Sequence, residues 1–178
     1  ELRRSLMHLL TGVPGCGKSF SVMGFWNRMY QVMSEHTGVP VEDLPQRVMH
    51  LTPSSVLSKW PGSSDRHIAP LFAEIQQIAS ETFEAPDGTV YELPVLVICE
   101  EIDALARERG QDGIHDRILV TLLSGLDPEQ SLFRDRLVFV VCTTNVPQLL
   151  DAAAVRRMGG TIDHFKHMHR RMFRAVLA

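Results

Sequence analysis

The chain has 178 residues, 44% of them hydrophobic, and a formal charge of −3 from 18 Lys and Arg against 21 Asp and Glu. That length and apolar content can bury one sizeable core, so a single domain is expected, and the acidic balance argues against nucleic acid as the principal partner. No run reaches the roughly 18 apolar residues of a membrane-spanning helix.

Cys16, Cys99 and Cys142 are odd in number and lack C-x-x-C spacing. They indicate neither a disulfide framework nor a zinc site, and they point to a reducing, cytoplasmic compartment. The start, Glu1-Leu2-Arg3-Arg4, does not resemble a cleavable signal, and Glu1 in place of Met suggests a piece of a longer protein.

The apolar run Leu6-Met7-His8-Leu9-Leu10 predicts a buried strand that leads into Gly12-Val13-Pro14-Gly15-Cys16-Gly17-Lys18-Ser19. This octet fits the phosphate-binding pattern G-x-x-x-x-G-K-[S/T] without a mismatch. The glycines let backbone N–H groups turn inward around phosphates, Lys18 supplies a mobile cation for the β and γ oxygens, and Ser19 can put a hydroxyl on Mg²⁺. The N-terminus of the next helix adds partial positive charge. With the adjoining Phe20, these residues form the candidate binding set for a nucleoside triphosphate.

A helix is predicted from about Lys18 to Glu35, with Phe20, Met23, Phe25, Trp26 and Val32 among its apolar positions, before Thr37-Gly38-Val39-Pro40 and Pro45 break the chain. A short strand, Arg47 to Leu51, precedes a second amphipathic helix from about Ser64 to Thr82, and Ala85 to Thr89 reads as a turn. Pro94 to Cys99 is a continuous apolar run, as expected of a strand covered on both faces. A helix from about His115 to Leu126 then leads to a fourth strand, Leu137 to Cys142, which ends at Thr143-Thr144-Asn145. Alternating strands and helices argue for a parallel sheet with ligands at the strand C-terminal ends.

The third long strand ends in Glu100-Glu101-Ile102-Asp103. Glu100 and Glu101 are the candidates for holding Mg²⁺ and for activating the attacking water. Asn145, at the tip of the next strand, can orient that water with its amide.

Taken together, these segments resemble the AAA+ ATPases, in particular the classical group of katanin, spastin, vacuolar-sorting, proteasomal and pachytene-checkpoint ATPases. Gly12 to Ser19 matches the family's Walker A, Val95 to Asp103 its Walker B, and Val141 to Asn145 its sensor 1. Leu57-Ser58-Lys59-Trp60-Pro61-Gly62 is similar to the first pore loop, and Leu150 to Arg157 to the segment carrying the arginine fingers. Ser58-Lys59-Trp60 slightly favours the pachytene-checkpoint and katanin-like branches without deciding between them.

The resemblance implies a three-layer α/β sandwich around a parallel sheet, with residues 1–166 as the large subdomain and 167–178 as the start of a helical lid that is otherwise missing. It implies ATP and Mg²⁺ as ligands, a homo-oligomeric, hexameric ring, and a protein substrate. Arg156 and Arg157 would act on a neighbouring subunit's nucleotide, where such fingers are worth roughly 10³ or more in rate. Lys59 and Trp60 would grip the substrate in the pore, and a second pore loop falls around Ala106 to Asp116.

One departure touches the chemistry. The family's usual Asp stands as Glu100 here, and the extra methylene displaces the carboxylate on the metal side, which can slow hydrolysis. His164, His167 and His169 do not share one helical face, so they do not read as a metal cluster. The expected function is an ATP-driven motor that remodels, unfolds or disassembles proteins. Two alternatives stay open: a DNA-handling loader or helicase-like motor, and a nucleotide-gated scaffold with weak hydrolysis.

Overall fold

The computed structural model of the chain describes residues 6–53, 69–106, 120–125, 136–150, 155–156 and 162–166, together with Phe133 and Met158. In chain order the elements are β1 (Leu6–Gly12), α1 (Lys18–Thr37), β2 (Val48–Leu51), α2 (Ala69–Ser80), β3 (Thr82–Glu84), β4 (Val90–Glu92), β5 (Val95–Cys99), α3 (Ile102–Ala106), β6 (Val138–Thr144) and β7 (Ile162–Phe165). Residues 120–125 are also helical.

Five strands form one sheet in the order β2-β5-β6-β1-β7, and all its pairings are parallel. β5 is buried at every position, which is why its sequence is apolar without alternation. Its side chains nevertheless divide by the two-residue period of a strand. Val95, Val97 and Cys99 pack with Leu71, Phe72 and Ile75 of α2, whereas Leu96 and Ile98 pack with Val22, Trp26 and Tyr30 of α1. The sheet is thus covered by helices on both faces, in three layers.

On α1 the apolar positions separate into two sets. Val22, Trp26 and Tyr30 recur every fourth residue and are buried against the sheet, while Phe20, Phe25 and Val32 are exposed. Truncating a fully buried Trp such as Trp26 costs about 3–5 kcal/mol. The helix stops at Gly38, whose N–H closes on the Ser34 carbonyl at 2.9 Å.

The second helix departs from its predicted limits. Residues 61–68 lie outside the described residues, and at the other end the helix stops at Ser80, with Thr82 already in a strand. The cause is Arg47, only 6% exposed, whose guanidinium donates to the carbonyls of Ile78 at 3.1 Å, Glu81 at 3.0 Å and Leu93 at 3.4 Å. These bonds satisfy the last helical turn and turn the chain outward. The connection that follows is the antiparallel β3–β4 hairpin, closed by the expected turn, in which the Thr89 N–H donates to Asp87 Oδ1 at 2.9 Å. That bond holds the Asp87 carboxyl below its ordinary pKa.

β7 was not predicted. Its residues Ile162, Asp163 and His164 are exposed on the sheet edge, so it carries no apolar pattern. It is placed by β1, with Leu9 opposite Ile162 and Gly12 opposite Phe165, and by a 2.8 Å hydrogen bond between Thr11 Oγ1 and His164 Nδ1. Among the described residues no helix is long and apolar enough to cross a membrane.

Candidate functional site

The loop after β1 takes its shape from glycine. Gly12 has φ 149°, and a Cβ there would lie 2.5 Å from the Phe165 carbonyl oxygen; Gly17 caps α1 with φ 94°. Loop residues Pro14–Phe20, the β5 tip at Glu100 and Glu101, and the β6 tip at Thr143 and Asn145 line one cleft of about 440 Å³. A larger hollow of about 550 Å³ lies between α1 and the sheet, walled by Leu10, Phe25, Phe139 and Phe165. It is overwhelmingly apolar, so phosphate chemistry belongs to the smaller cleft.

Lys18 is nearly buried, and its ammonium donates to the carbonyls of Gly12 at 2.8 Å and Val13 at 3.2 Å and to Asn145 Oδ1 at 2.8 Å. The Ser19 hydroxyl donates to Glu100 Oε1 at 2.9 Å. A hydroxyl and a carboxylate in contact at a phosphate-binding loop are hard oxygen donors of the kind Mg²⁺ takes, so these residues fit that ion. Phe20 is 63% exposed at the mouth of the cleft.

Glu101 is exposed and has φ 50°, the sole non-glycine among the described residues with positive φ. Such a conformation costs of order 1–3 kcal/mol and persists where surroundings over-determine it. Its N–H donates to Thr143 Oγ1 at 3.3 Å, and its carbonyl accepts the Ala104 N–H at 2.8 Å. Beneath it, buried Asp103 accepts a 2.8 Å hydrogen bond from the Thr144 hydroxyl.

The structure therefore brings together the loop, Lys18, Ser19, Phe20, Glu100, Glu101 and Asn145. Arg156 is exposed and does not line this cleft. Arg157, Lys59, Trp60, His167 and His169 lie outside the described residues, as does nearly all of 106–116. Sequence reasoning missed Thr143, Thr144 and the bond that Asp103 receives; the only signal was the Thr-Thr pair directly before Asn145.

All three cysteines are free and buried, and among the described residues no group of three metal-ligating side chains gathers. Cys99 and Cys142 are opposite each other on β5 and β6. The hydrogen bond between their thiols, with burial, pushes Cys142 well above the ordinary thiol pKa.

A parallel sheet with β6 inserted between the loop strand β1 and the acidic strand β5, and with Lys18, Ser19, Glu100 and Asn145 converging at one end, defines a phosphate-binding-loop nucleoside triphosphatase fold. Residues 8–164 match the family model described as "ATPase family associated with various cellular activities (AAA)". The chain belongs to the AAA ATPase family.

Among curated proteins it is similar to the proteasome-associated ATPases. The one from Nocardia farcinica is 28% identical over 159 residues, covering 88% of this chain and 25% of that protein. The one from Kribbella flavida is 29% identical over 159 residues, with 88% and 25% covered. That of Mycobacterium tuberculosis is 28% identical over 151 residues, with 83% and 23% covered. The chain spans about a quarter of the length of these relatives.

Proposed function

We propose that the chain binds and hydrolyses ATP as one module of a ring-shaped, hexameric motor that remodels or unfolds proteins in the cytoplasm. The observation that carries this reading is the convergence of Lys18, Ser19, Glu100, Glu101 and Asn145 on one cleft, with Lys18 2.8 Å from Asn145 and Ser19 2.9 Å from Glu100. The relatives' name, proteasome-associated ATPase, supports protein as the substrate class.

Each residue has a role that its chemistry allows. The loop N–H groups and Lys18 bind the phosphates, and Lys18 exchanges its carbonyl and amide partners for phosphate oxygens. Ser19 and Glu100 would hold Mg²⁺, which would neutralise charge on the phosphates. Glu101 takes a proton from water, and Asn145 orients that water. Arg156 and Arg157 serve a neighbouring subunit's site, and Lys59 and Trp60 contact the translocating chain.

ATP turnover against protein concentration, with Glu101→Gln and Arg156→Ala/Arg157→Ala mixed in as poisons, tests the reading. Turnover that rises with assembly and is suppressed by substoichiometric mutant is expected. Tight ATP binding without turnover would overturn it in favour of a nucleotide-gated scaffold. One observation favours that second reading: Glu100 is longer than the family's usual aspartate and already bonds the Ser19 hydroxyl at 2.9 Å.

A further inference from the structure

The backbone ladder between β5 and β6 ends at Cys99 opposite Cys142. Glu100 to Asp103 and Thr143 to Asn145 lie beyond it, so the tips that carry the acidic residues and the amide are joined by side chains. Thr143 and Thr144 are 4% and 1% exposed, and neither hydroxyl has a part in the hydrolysis scheme above.

The Thr144 hydroxyl donates to Asp103 Oδ1 at 2.8 Å and accepts the Val146 N–H at 3.0 Å. Val146 directly follows Asn145, and Asp103 lies two residues beyond Glu101. One buried oxygen thus spans from the turn that presents Asn145 to the turn that presents Glu101. Beside it, Thr143 Oγ1 takes the N–H of Glu101, whose φ of 50° needs such support.

We propose that Thr144, acting through Asp103, is a positioning residue that sets the separation of Glu101 and Asn145, and that Thr143 holds the Glu101 peptide in its left-handed conformation. The inference rests on the reading of Glu101 and Asn145 as the pair that activates and orients water. A water clamped between two groups tolerates little error, because a displacement of about 1 Å can cost roughly a hundredfold in rate. Phosphate binding uses the loop N–H groups and Lys18; Lys18 also bonds Asn145 Oδ1 at 2.8 Å, so affinity is read beside kcat, and the larger effect is expected on kcat.

The test compares Thr144→Val, which removes the hydroxyl at nearly constant shape, with Thr144→Ser, which keeps it, in the protein carrying this chain. ATP turnover gives kcat and KM, and an equilibrium titration with ADP gives affinity. Thr144→Val is expected to lower kcat by about tenfold to a hundredfold while ADP affinity moves less than about threefold, and Thr144→Ser to restore kcat. A valine variant with unchanged kcat, or a serine variant as impaired as the valine one, overturns the proposal. Should Thr144→Val fail to fold, Thr144→Ala, which also removes the hydroxyl, carries the same expectation against Thr144→Ser, and Thr143→Val against Thr143→Ser tests the support of the Glu101 peptide separately, by kcat. Wild-type protein that binds ATP without turning it over would overturn the hydrolysis reading itself, and this proposal with it.

Discussion

Ser19 Oγ and Glu100 Oε1 are 2.9 Å apart, a direct hydrogen bond between the first turn of α1 and the tip of β5. Glu100 stands where the resemblance implies aspartate, so the side chain is one methylene longer. Reach and charge at this position can be varied separately.

Shortening that side chain should ease entry of the ion. Glu100→Asp is expected to lower the Mg²⁺ concentration at half-maximal turnover by a few-fold, whereas Glu100→Gln, which keeps the hydrogen bond and loses the charge, should raise it by roughly tenfold. The check is a Mg²⁺ titration of ATP turnover, and of nucleotide binding in parallel. Equal responses of the two variants would show that reach and charge at this position do not matter separately.

Gly12→Ala should destabilise the fold and disturb the loop together. The added methyl meets the Phe165 carbonyl oxygen at 2.5 Å, and the backbone sits at φ 149°, where an L side chain is strained. A loss of about 2–3 kcal/mol in the urea unfolding free energy is expected. A midpoint equal to that of the wild type would mean that β7 can move aside at no cost.

Replacing Arg47 by Met keeps a similar volume and removes the donors shared by Ile78, Glu81 and Leu93. Because these acceptors are largely screened from water, a loss of about 2–4 kcal/mol is expected, with limited proteolysis appearing first in the β3–β4 hairpin. The ion pair with Glu81 at 3.7 Å joins a buried guanidinium to an exposed carboxylate that water solvates, so Glu81→Gln should change stability by less than about 1 kcal/mol.

Stability should fall under alkaline conditions. Burial raises the pKa of Tyr30, and the bond to Cys99 with burial raises that of Cys142, so both hold their protons after the unfolded chain has released them. Their contribution is full below the ordinary values of 9.0 for the thiol and 10.0 for the phenol and is lost as pH rises through the shifted ones. Each group adds a slope of about 1.4 kcal/mol per pH unit within its window. Urea midpoints from pH 8 to roughly 11 would show it, and Tyr30→Phe should flatten the upper part; a flat profile in the wild type would contradict the assignment.

The legible parts of the fold are those whose environment is uniform. β5 and β6 are wrapped on both sides, so their runs of Val, Ile, Leu and Cys stand out in the sequence. The loop is legible for a different reason: the requirement for glycine at Gly12, Gly15 and Gly17 is set by backbone geometry at each position. By contrast, β3, β4 and β7 are short, with exposed positions that impose no pattern. Arg47 reads only as the start of a short strand until the three carbonyls around it are seen, and Thr143 and Thr144 only as the end of the fourth strand until their partners on the neighbouring turn are known. Phe25 shows the converse, an apolar position of α1 that is 54% exposed.

β1 pairs with β6 along Leu6 to Thr11 and with β7 along Leu9 to Gly12, so the strand that launches the loop has a neighbour on either flank. Its amides are held by neighbours on both flanks, whereas β2 and β7 each have one open edge. The anchor of the loop therefore sits inside the sheet, where amides are expected to exchange more slowly than at β2 or β7. The phosphate-binding loop is thus fixed to an interior strand of the sheet.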